Sequence, residues 1–314
     1  MMMKKIFYGV QGTGNGHITR ARVMAKALYE AGFEVTFQFT GRPADQYFDM
    51  EIFGDYQIRS GLTFNTSKGQ VSYLKTALQS QPLSFIRDIK TLDLSRYDVV
   101  ISDFEPVTAW AAKRQHKTVM GLHWHHFGQP ILPPIIETPA FPAVVQAHKI
   151  VVYLPFEDCQ TVINHLAPFE NFEFHVYSPQ LVPSRFSHVI CKPLSREGFQ
   201  RDVYDCGGII SNAGFELASE ALQLGKKILV KPLHAQMEQI SNAAALKQLG
   251  YGHTMFDIDS LTIAEWLHHP HAIRVTYPDV AQILVQWLKD GSPQIDQAFA
   301  EQVWQEVAVI PLNA

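Results

Sequence analysis

The sequence predicts an α/β protein of two domains, each built on a parallel sheet. Three observations lead there. Its 314 residues exceed what a single hydrophobic core organises, since such cores stop growing near about 250–300 residues. Short β-rich runs alternate with helical patterns in both halves, the rhythm of strand–helix–strand units. Five prolines between residues 129 and 142 break that rhythm once. With 46% hydrophobic and 18% charged residues, the chain also has the composition of a packed protein and not of a disordered one.

Residues 5–10 form an apolar run that ends at the turn Gly12-Thr13-Gly14-Asn15-Gly16. A helical pattern follows, with Ile18, Ala21, Ala25 and Leu28 on one stripe and Gly32 placed to end it. Residues 34–39 alternate, which puts Val35, Phe37 and Phe39 on one strand face. A buried strand is expected at 97–102, a helix at 107–115 and a strand at 118–123. The polar, weakly periodic stretch 55–95 is assigned a loop with one or two helices. The proline-rich stretch reads as a linker, because proline removes donors and fixes φ. Beyond it come strands at 149–155, 172–177, 208–211 and 227–231. Helices are expected near 158–166, 214–224 and 236–248, the last ending at Gly250. The final 50 residues read as helical, with Trp266, Trp287 and Trp304 as packing anchors. The boundary falls at 145/146, giving domains 1–145 and 146–314.

The 26 basic residues against 30 acidic ones leave a net charge of −4, which is no footprint for wrapping nucleic acid. Cys159, Cys191 and Cys206 are odd in number and unpatterned, so they read as buried thiols of a cytoplasmic protein. No apolar run approaches the roughly 20 residues needed to span a bilayer. The start, Met1-Met2-Met3-Lys4-Lys5, leads into a strand and lacks the apolar core of a signal peptide. Peripheral contact with the inner face of a membrane stays open, since an amphipathic patch leaves no such trace.

A glycine loop between a first strand and a first helix suits anions. The phosphate loop of nucleoside triphosphatases is excluded, because Asn15-Gly16-His17 stands where Lys-Ser/Thr is needed. The dinucleotide fingerprint needs GxGxxG and an acidic end to strand two. Here the loop is GxGxG and strand two ends Phe39-Thr40-Gly41-Arg42. Arg42 would suit a 2′-phosphate, so an NADP reading stays open. A third reading rests on His17 and Arg20, three apart on one helix face and off the apolar stripe. Histidine can accept a hydroxyl proton as a general base. A histidine that merely bonds the loop is the plainer alternative, and the residue alone does not choose.

The second half carries a denser pattern. Ser211-Asn212-Ala213-Gly214-Phe215 closes a buried strand and opens a helix, a diphosphate cradle without lysine. Glu220 lies six residues past Gly214, about 9 Å along a helix at ~1.5 Å per residue. That is roughly the span from a diphosphate to a ribose. After the next strand come His234-Ala235-Gln236-Met237-Glu238-Gln239, at the sheet edge where ligands of open α/β sheets bind.

Residues 208–243 resemble the donor domain of GT-B fold glycosyltransferases. They are akin to the lipid II-forming N-acetylglucosaminyltransferase of peptidoglycan synthesis and to UDP-glucuronosyl and plant UDP-sugar transferases. The shared signature is a small-residue turn, a Glu-Ala pair, a glycine, a strand ending in proline, an acidic-Gln pair and Asn-Ala. The resemblance implies two Rossmann-like domains facing across a cleft, with C-terminal helices packing back on the first domain. It implies a nucleotide-diphosphate sugar, UDP-linked, as co-substrate, with neither metal nor other cofactor. Ser211, Asn212, Ala213 and Gly214 then match the phosphate turn, with Phe215 beside them. Glu220 matches the ribose-binding glutamate, and Gln236, Glu238 and Gln239 the segment that reads the sugar. Gly12, Gly14, Asn15, Gly16 and Arg20 resemble the acceptor and phosphate loop, His17 the base, and Asp103 (or Glu105) the group that orients it. Two departures stand out: Ser211-Asn212 replaces the usual His or second Gly, and Glu238 replaces Asp. Ser195-Arg196-Glu197-Gly198-Phe199 resembles a little-characterised subfamily and is expected to help hold the base.

His123-Trp124-His125-His126 invites a zinc reading, but no Cys or carboxylate cluster follows, so His125 is given a place lining the cleft. His268-His269-Pro270-His271 reads as an exposed helix end, and the GxSxG elbow of hydrolases is absent. The expected activity is transfer of a sugar to a hydroxyl of a glycan, a lipid-linked molecule or a small molecule. Alternatives are a UDP-N-acetylglucosamine 2-epimerase-like enzyme and a non-catalytic nucleotide-sugar-binding subunit.

Overall fold

The computed structural model describes residues 4–61, 66–67, 70–71, 82–117, 119–122, 130–137, 144–270, 272–291 and 295–312. The chain divides into two compact units, one of residues 1–65, 73–137 and 277–307, the other of 66–72, 138–276 and 308–314.

In the first unit, β1 (Lys5–Gln11) leads into α1 (Asn15–Glu30) and β2 (Glu34–Thr40), followed by β3 (Gln57–Arg59). A minimal antiparallel pair, β4 (Thr66–Ser67) and β5 (Gln70–Val71), precedes α2 (Pro82–Thr91). Then come β6 (Val99–Asp103), α3 (Pro106–Arg114) and β7 (Val119–Gly121). The sheet runs β3-β2-β1-β6-β7, all parallel. Parallel strands are covered on both faces and read as continuous apolar runs. Accordingly Ile6, Phe7, Tyr8 and Val10 are all buried. α1 lays Ile18, Ala21, Met24, Ala25 and Leu28 onto that sheet and gives way at Gly32, whose φ of +82° favours a residue without Cβ.

The second unit repeats the plan. β8 (Gln146–Tyr153), α4 (Cys159–Leu166) and β9 (Glu173–Tyr177) are followed by β10 (Val189–Lys192), α5 (Arg196–Asp205) and β11 (Cys206–Asn212). Next come α6 (Phe215–Gln223), β12 (Lys227–Lys231), α7 (Met237–Gln248), β13 (His253–Thr254) and α8 (Ser260–His268). The sheet order is β10-β9-β8-β11-β12-β13, again all parallel. Trp266 is fully buried there, and its ring lies where a Cβ on Gly208 would be. Beneath α5, Asp202 accepts from Lys149, Lys192, Tyr177 and His175 at 2.7–2.8 Å. Burial alone would raise its pKa, but these donors outweigh it and hold the carboxyl well below the usual range.

The chain then forms β14 (Ala272–Thr276), passes through α9 (Val280–Lys289) and α10 (Gln297–Gln305), and ends in β15 (Ala308–Leu312). α9 and α10 put Leu284, Trp287 and Val303 into the core that α1 covers. β14 and β15 pair antiparallel, so the final stretch is not all helical as its pattern suggested. Alternation over five residues is too short a signal beside three amphipathic helices.

One further expectation changes. Trp304 is 41% exposed and donates its Nε1 to Ile131 O at 2.8 Å, so it is no core anchor. The division between the units falls at 137/138, inside the proline-rich stretch, and residues 130–137 also give Leu132 and Ile135 to the first unit's core. Proline breaks helices, but it packs as well as any apolar residue. Ser195–Phe199 opens α5: Ser195 caps it by accepting from Gly198 N, and Phe199 packs on Tyr153 and Tyr177.

Candidate active site

Each sheet reverses its strand order once, between β1 and β6 in the first unit and between β8 and β11 in the second. Loops leaving neighbouring strands at such a point diverge and open a crevice at their carboxyl ends.

The first crevice gathers His17, Arg20 and Asp103. Asp103 ends β6 with no exposed surface, and His17 lies in the first turn of α1. His17 Nδ1 is 2.9 Å from Asp103 Oδ1. Arg20 Nε donates to Asp103 Oδ2 at 2.8 Å, and its Nη2 donates to Oδ1. That Nη2 also stands 2.8 Å from His17 Nδ1. A bare lone pair on Nδ1 would face the carboxylate lone pair, so the proton belongs on Nδ1 and is donated to Asp103; this tautomer is assigned from the hydrogen-bond pattern. Nε2 then keeps its lone pair and meets no partner among the described residues. Burial by itself would raise the pKa of Asp103, but the Arg20 guanidinium and the bonds from Arg20 and His17 hold it far below the carboxylate range. Tyr8 donates to Asp103 Oδ2 at 3.4 Å, and burial, then that neighbouring charge, pushes the phenol well above its ordinary value.

The sequence pattern puts Arg20 off the apolar stripe, and the resemblance groups it with the acceptor and phosphate loop. It is instead 2% exposed, and its guanidinium is committed to Asp103. Glu105, the alternative partner for His17, points elsewhere. Its carboxylate caps α3 by accepting from Val107 N at 2.9 Å and Thr108 N at 2.6 Å, and takes the Thr40 hydroxyl at 3.0 Å. Burial raises its pKa, and these bonds restrain the rise. Gly12 also departs from its expected role: its N–H donates to Thr40 O at 2.6 Å, so that amide is not offered to an anion. A Cβ on Gly12 would collide with the Tyr47 hydroxyl. Gly14, the N-cap of α1, faces open space, Gly16 lies inside the helix, and Asn15 Oδ1 accepts from Arg42 Nη2 at 2.9 Å.

Phe104 escaped the sequence reading. Its φ of +55° is left-handed, costing a non-glycine residue about 1–3 kcal/mol. Its ring stacks on His17 with centroids 5.7 Å apart and planes 11° from parallel. The strain buys a tight turn straight after Asp103, which sets a flat wall against the imidazole.

In the second crevice, the end of β11 and the turn after it are tied to the end of β12 and to α7. Asn212 Nδ2 donates to Lys231 O at 2.9 Å, and Asn242 Nδ2 donates to Ala213 O at 3.0 Å. Fixing the Asn212 amide nitrogen leaves its Oδ1 buried with no partner among the described residues, and the same holds for Ser211 Oγ and Gln236 Oε1. Buried polar atoms are normally bonded, so three such atoms in the segment expected to hold a donor fit a ligand rich in hydroxyl and N–H groups. Gly214 caps α6 over open space, and Phe215 begins the helix. Glu220 and Glu238 are partly buried on α6 and α7. Gln239 is buried, and its Oε1 accepts from Leu233 N at 2.9 Å, bracing the loop. Ala235 in that loop has a left-handed φ of +65°. Glu157, in the loop after β8, was missed, although it follows a buried strand at the reversal point. Its Oε1 accepts from the buried Lys231 Nζ at 2.8 Å.

His125 and its neighbours 123–129 lie outside the described residues. Among the described residues no group of three or more His, Cys, Asp or Glu stands where it could hold a metal ion. No described helix is long and apolar enough to cross a membrane.

Several solved structures share this architecture. The glycotransferase of kitacinnamycin is 10% identical, with a TM-score of 0.60 over 98% of this chain and 100% of that one. Spinosyn forosaminyltransferase is 12% identical, with a TM-score of 0.59 over 98% and 99%. MurG of Acinetobacter baumannii is 14% identical, with a TM-score of 0.56 over 91% and 99%. At such identities the likeness concerns the fold, which is GT-B: two Rossmann-like α/β domains with parallel sheets. No curated protein sequence matches this chain. The family model for glycosyl transferase family 1 matches residues 4–129 and 125–270, which span the histidine helix, β6 and the turn after β11. The chain belongs to glycosyl transferase family 1.

Proposed function

We propose that this transferase moves a hexosyl or N-acetylhexosaminyl group from a UDP-linked donor to an acceptor hydroxyl, without a metal ion. The observation that carries the reading is the His17–Asp103 pair, with Nδ1 engaged and Nε2 open. As the acceptor oxygen attacks the anomeric carbon, its proton passes to His17 Nε2. The bond from that carbon to the diphosphate oxygen breaks, and the diphosphate leaves with the electron pair. Asp103 stabilises the imidazolium so formed and keeps the ring in the productive tautomer. The leaving charge meets the amides that open α6, at the positive end of the helix.

The orphaned atoms of Ser211, Asn212 and Gln236 favour a donor with several hydroxyls, and Glu220 is assigned to its ribose. A direct displacement would invert the anomeric centre. The acceptor is a glycan, a lipid-linked molecule or a small molecule, and the reaction belongs to the cytoplasm, at or near the membrane's inner face.

Two measurements test this. UDP should raise the thermal midpoint by mass action, and His17→Ala should keep that shift while losing about 10²–10⁴ of the transfer rate. Full transfer by His17→Ala, or no stabilisation by UDP, would sink the proposal.

A further inference from the structure

Beside the glycine loop, where β2 and β3 end, the first unit holds a pocket of about 740 Å³ walled by Arg42, Arg59, Arg87, Asp88 and Ser60. Sites for small molecules span about 300–1,000 Å³, so the space admits a sugar. Three arginines and one aspartate line it, a local charge of +2 in a chain whose net charge is −4.

Arg59 and Asp88 are held in place and only partly used. Arg59 Nε donates to Gln38 Oε1 at 2.8 Å, while its Nη1 reaches Thr91 Oγ1 at 3.1 Å and Asp88 Oδ1 at 3.4 Å. Those bonds fix the guanidinium plane and leave Nη2 without an acceptor among the described residues. Arg42 is held by Asn15 Oδ1 and lies over the Tyr47 ring, 4.7 Å from its centroid. Arg87 is exposed and makes no hydrogen bond or ion pair among the described residues. Asp88 is only 7% exposed, and its Oδ2 is buried with no donor among the described residues. The pocket therefore asks for two things at once: an anion with oxygens for the arginine forks, and a hydroxyl or N–H to satisfy Asp88. Through Arg42 it touches Asn15, two residues before His17 on α1.

We propose that this pocket seats an acidic acceptor sugar, one that carries a phosphate or carboxylate beside its free hydroxyls. The inference rests on the glycosyl-transfer reading for the word acceptor, but the binding itself is independent of it. Neutral sugars satisfy Asp88 but bring no anion to Arg59 and Arg87. Inorganic phosphate does the reverse.

Calorimetric titration of the full chain with glucose 6-phosphate, glucuronate, methyl glucoside and inorganic phosphate tests it, run with and without UDP. The acidic sugars should bind at least about tenfold more tightly than either methyl glucoside or phosphate. Arg87→Gln, a change on the surface, should remove about tenfold of that affinity while the UDP shift stays intact. Dodecyl phosphate in neutral micelles offers the anion on a lipid without sugar hydroxyls, so it should bind more weakly than glucose 6-phosphate, and tighter binding of it would overturn the sugar assignment. Equal binding of methyl glucoside, phosphate binding as tight as the sugar phosphate (an adventitious ion only), or an unchanged affinity in Arg87→Gln would overturn it. Loss of the UDP effect with acidic-sugar binding retained would strike the transfer reading and spare this pocket.

Discussion

Arg20 holds Asp103 through two nitrogens, and both side chains are shut away from solvent. A buried ion pair is weak support for stability by itself, since a well-packed apolar pair often does as well. What this one supplies is a carboxylate that stays ionised inside the fold, fixed in place against His17. A charge that is already oriented needs no reorganisation when a proton arrives on the ring.

Asp103→Asn keeps the shape and removes that charge. It strands a buried guanidinium, so stability should fall by about 3–5 kcal/mol. Transfer should drop by up to about 10⁴-fold, because the wrong histidine tautomer becomes available. Urea denaturation and initial rates at saturating donor measure the two losses separately.

Acid should weaken the fold in a definite window. Asp103 and Asp202 both have folded pKa values lowered below the unfolded reference, which is about 3.9. Their contribution is therefore complete above that reference and drains away as pH falls through it toward the folded values. Unfolding free energy followed from pH 7 to pH 3 should decline mainly below about pH 5. The decline should be shallower in Asp103→Asn than in the wild type, and identical slopes would contradict the assignment.

Ser211→Ala should separate stability from binding. The hydroxyl is buried and without a partner among the described residues, so deleting it should leave the thermal midpoint unchanged or slightly raised. If the donor uses that hydroxyl, UDP-sugar affinity should fall by about three- to tenfold. A lowered midpoint with unchanged affinity would reverse the argument.

Gly9→Ala tests the close approach of α3 to β1. A Cβ there would run into the Thr108 side chain and come within 2.9 Å of Glu105 Oε2. Overpacking of this kind costs about 1–3 kcal/mol, and here it would also disturb the cap of α3. Chemical denaturation should show the loss.

The sheets were legible because buried parallel strands announce themselves as apolar runs between glycine turns. Each half offered several, such as Ile228-Leu229-Val230. His17 and Asp103, 86 residues apart, meet in the structure; it is the resemblance to the transferases that implies this pairing, with Glu105 as its alternative, and no local pattern in the sequence does. Arg20 was misplaced for a physical reason: an arginine on a helix face reads as solvated until the tertiary fold supplies a buried carboxylate. Gly12 was misjudged likewise, since a glycine needed for close packing and one needed for an anion look the same in sequence. Phe104 and Glu157 left no signal in composition or period. Their importance comes from a left-handed backbone and a through-space ion pair.

The path of the chain through α9, α10 and β15 bears on how this protein is born. The first core needs Leu284, Trp287 and Val303, so the chain must be made through residue 303 before that core can close. The antiparallel partner of β14 comes later still. Neither unit can be completed while the chain is short, and contacts so distant in sequence form slowly. Half-made copies will expose apolar sheet faces for as long as translation lasts, which makes the nascent chain, more than the finished enzyme, the species that needs a chaperone.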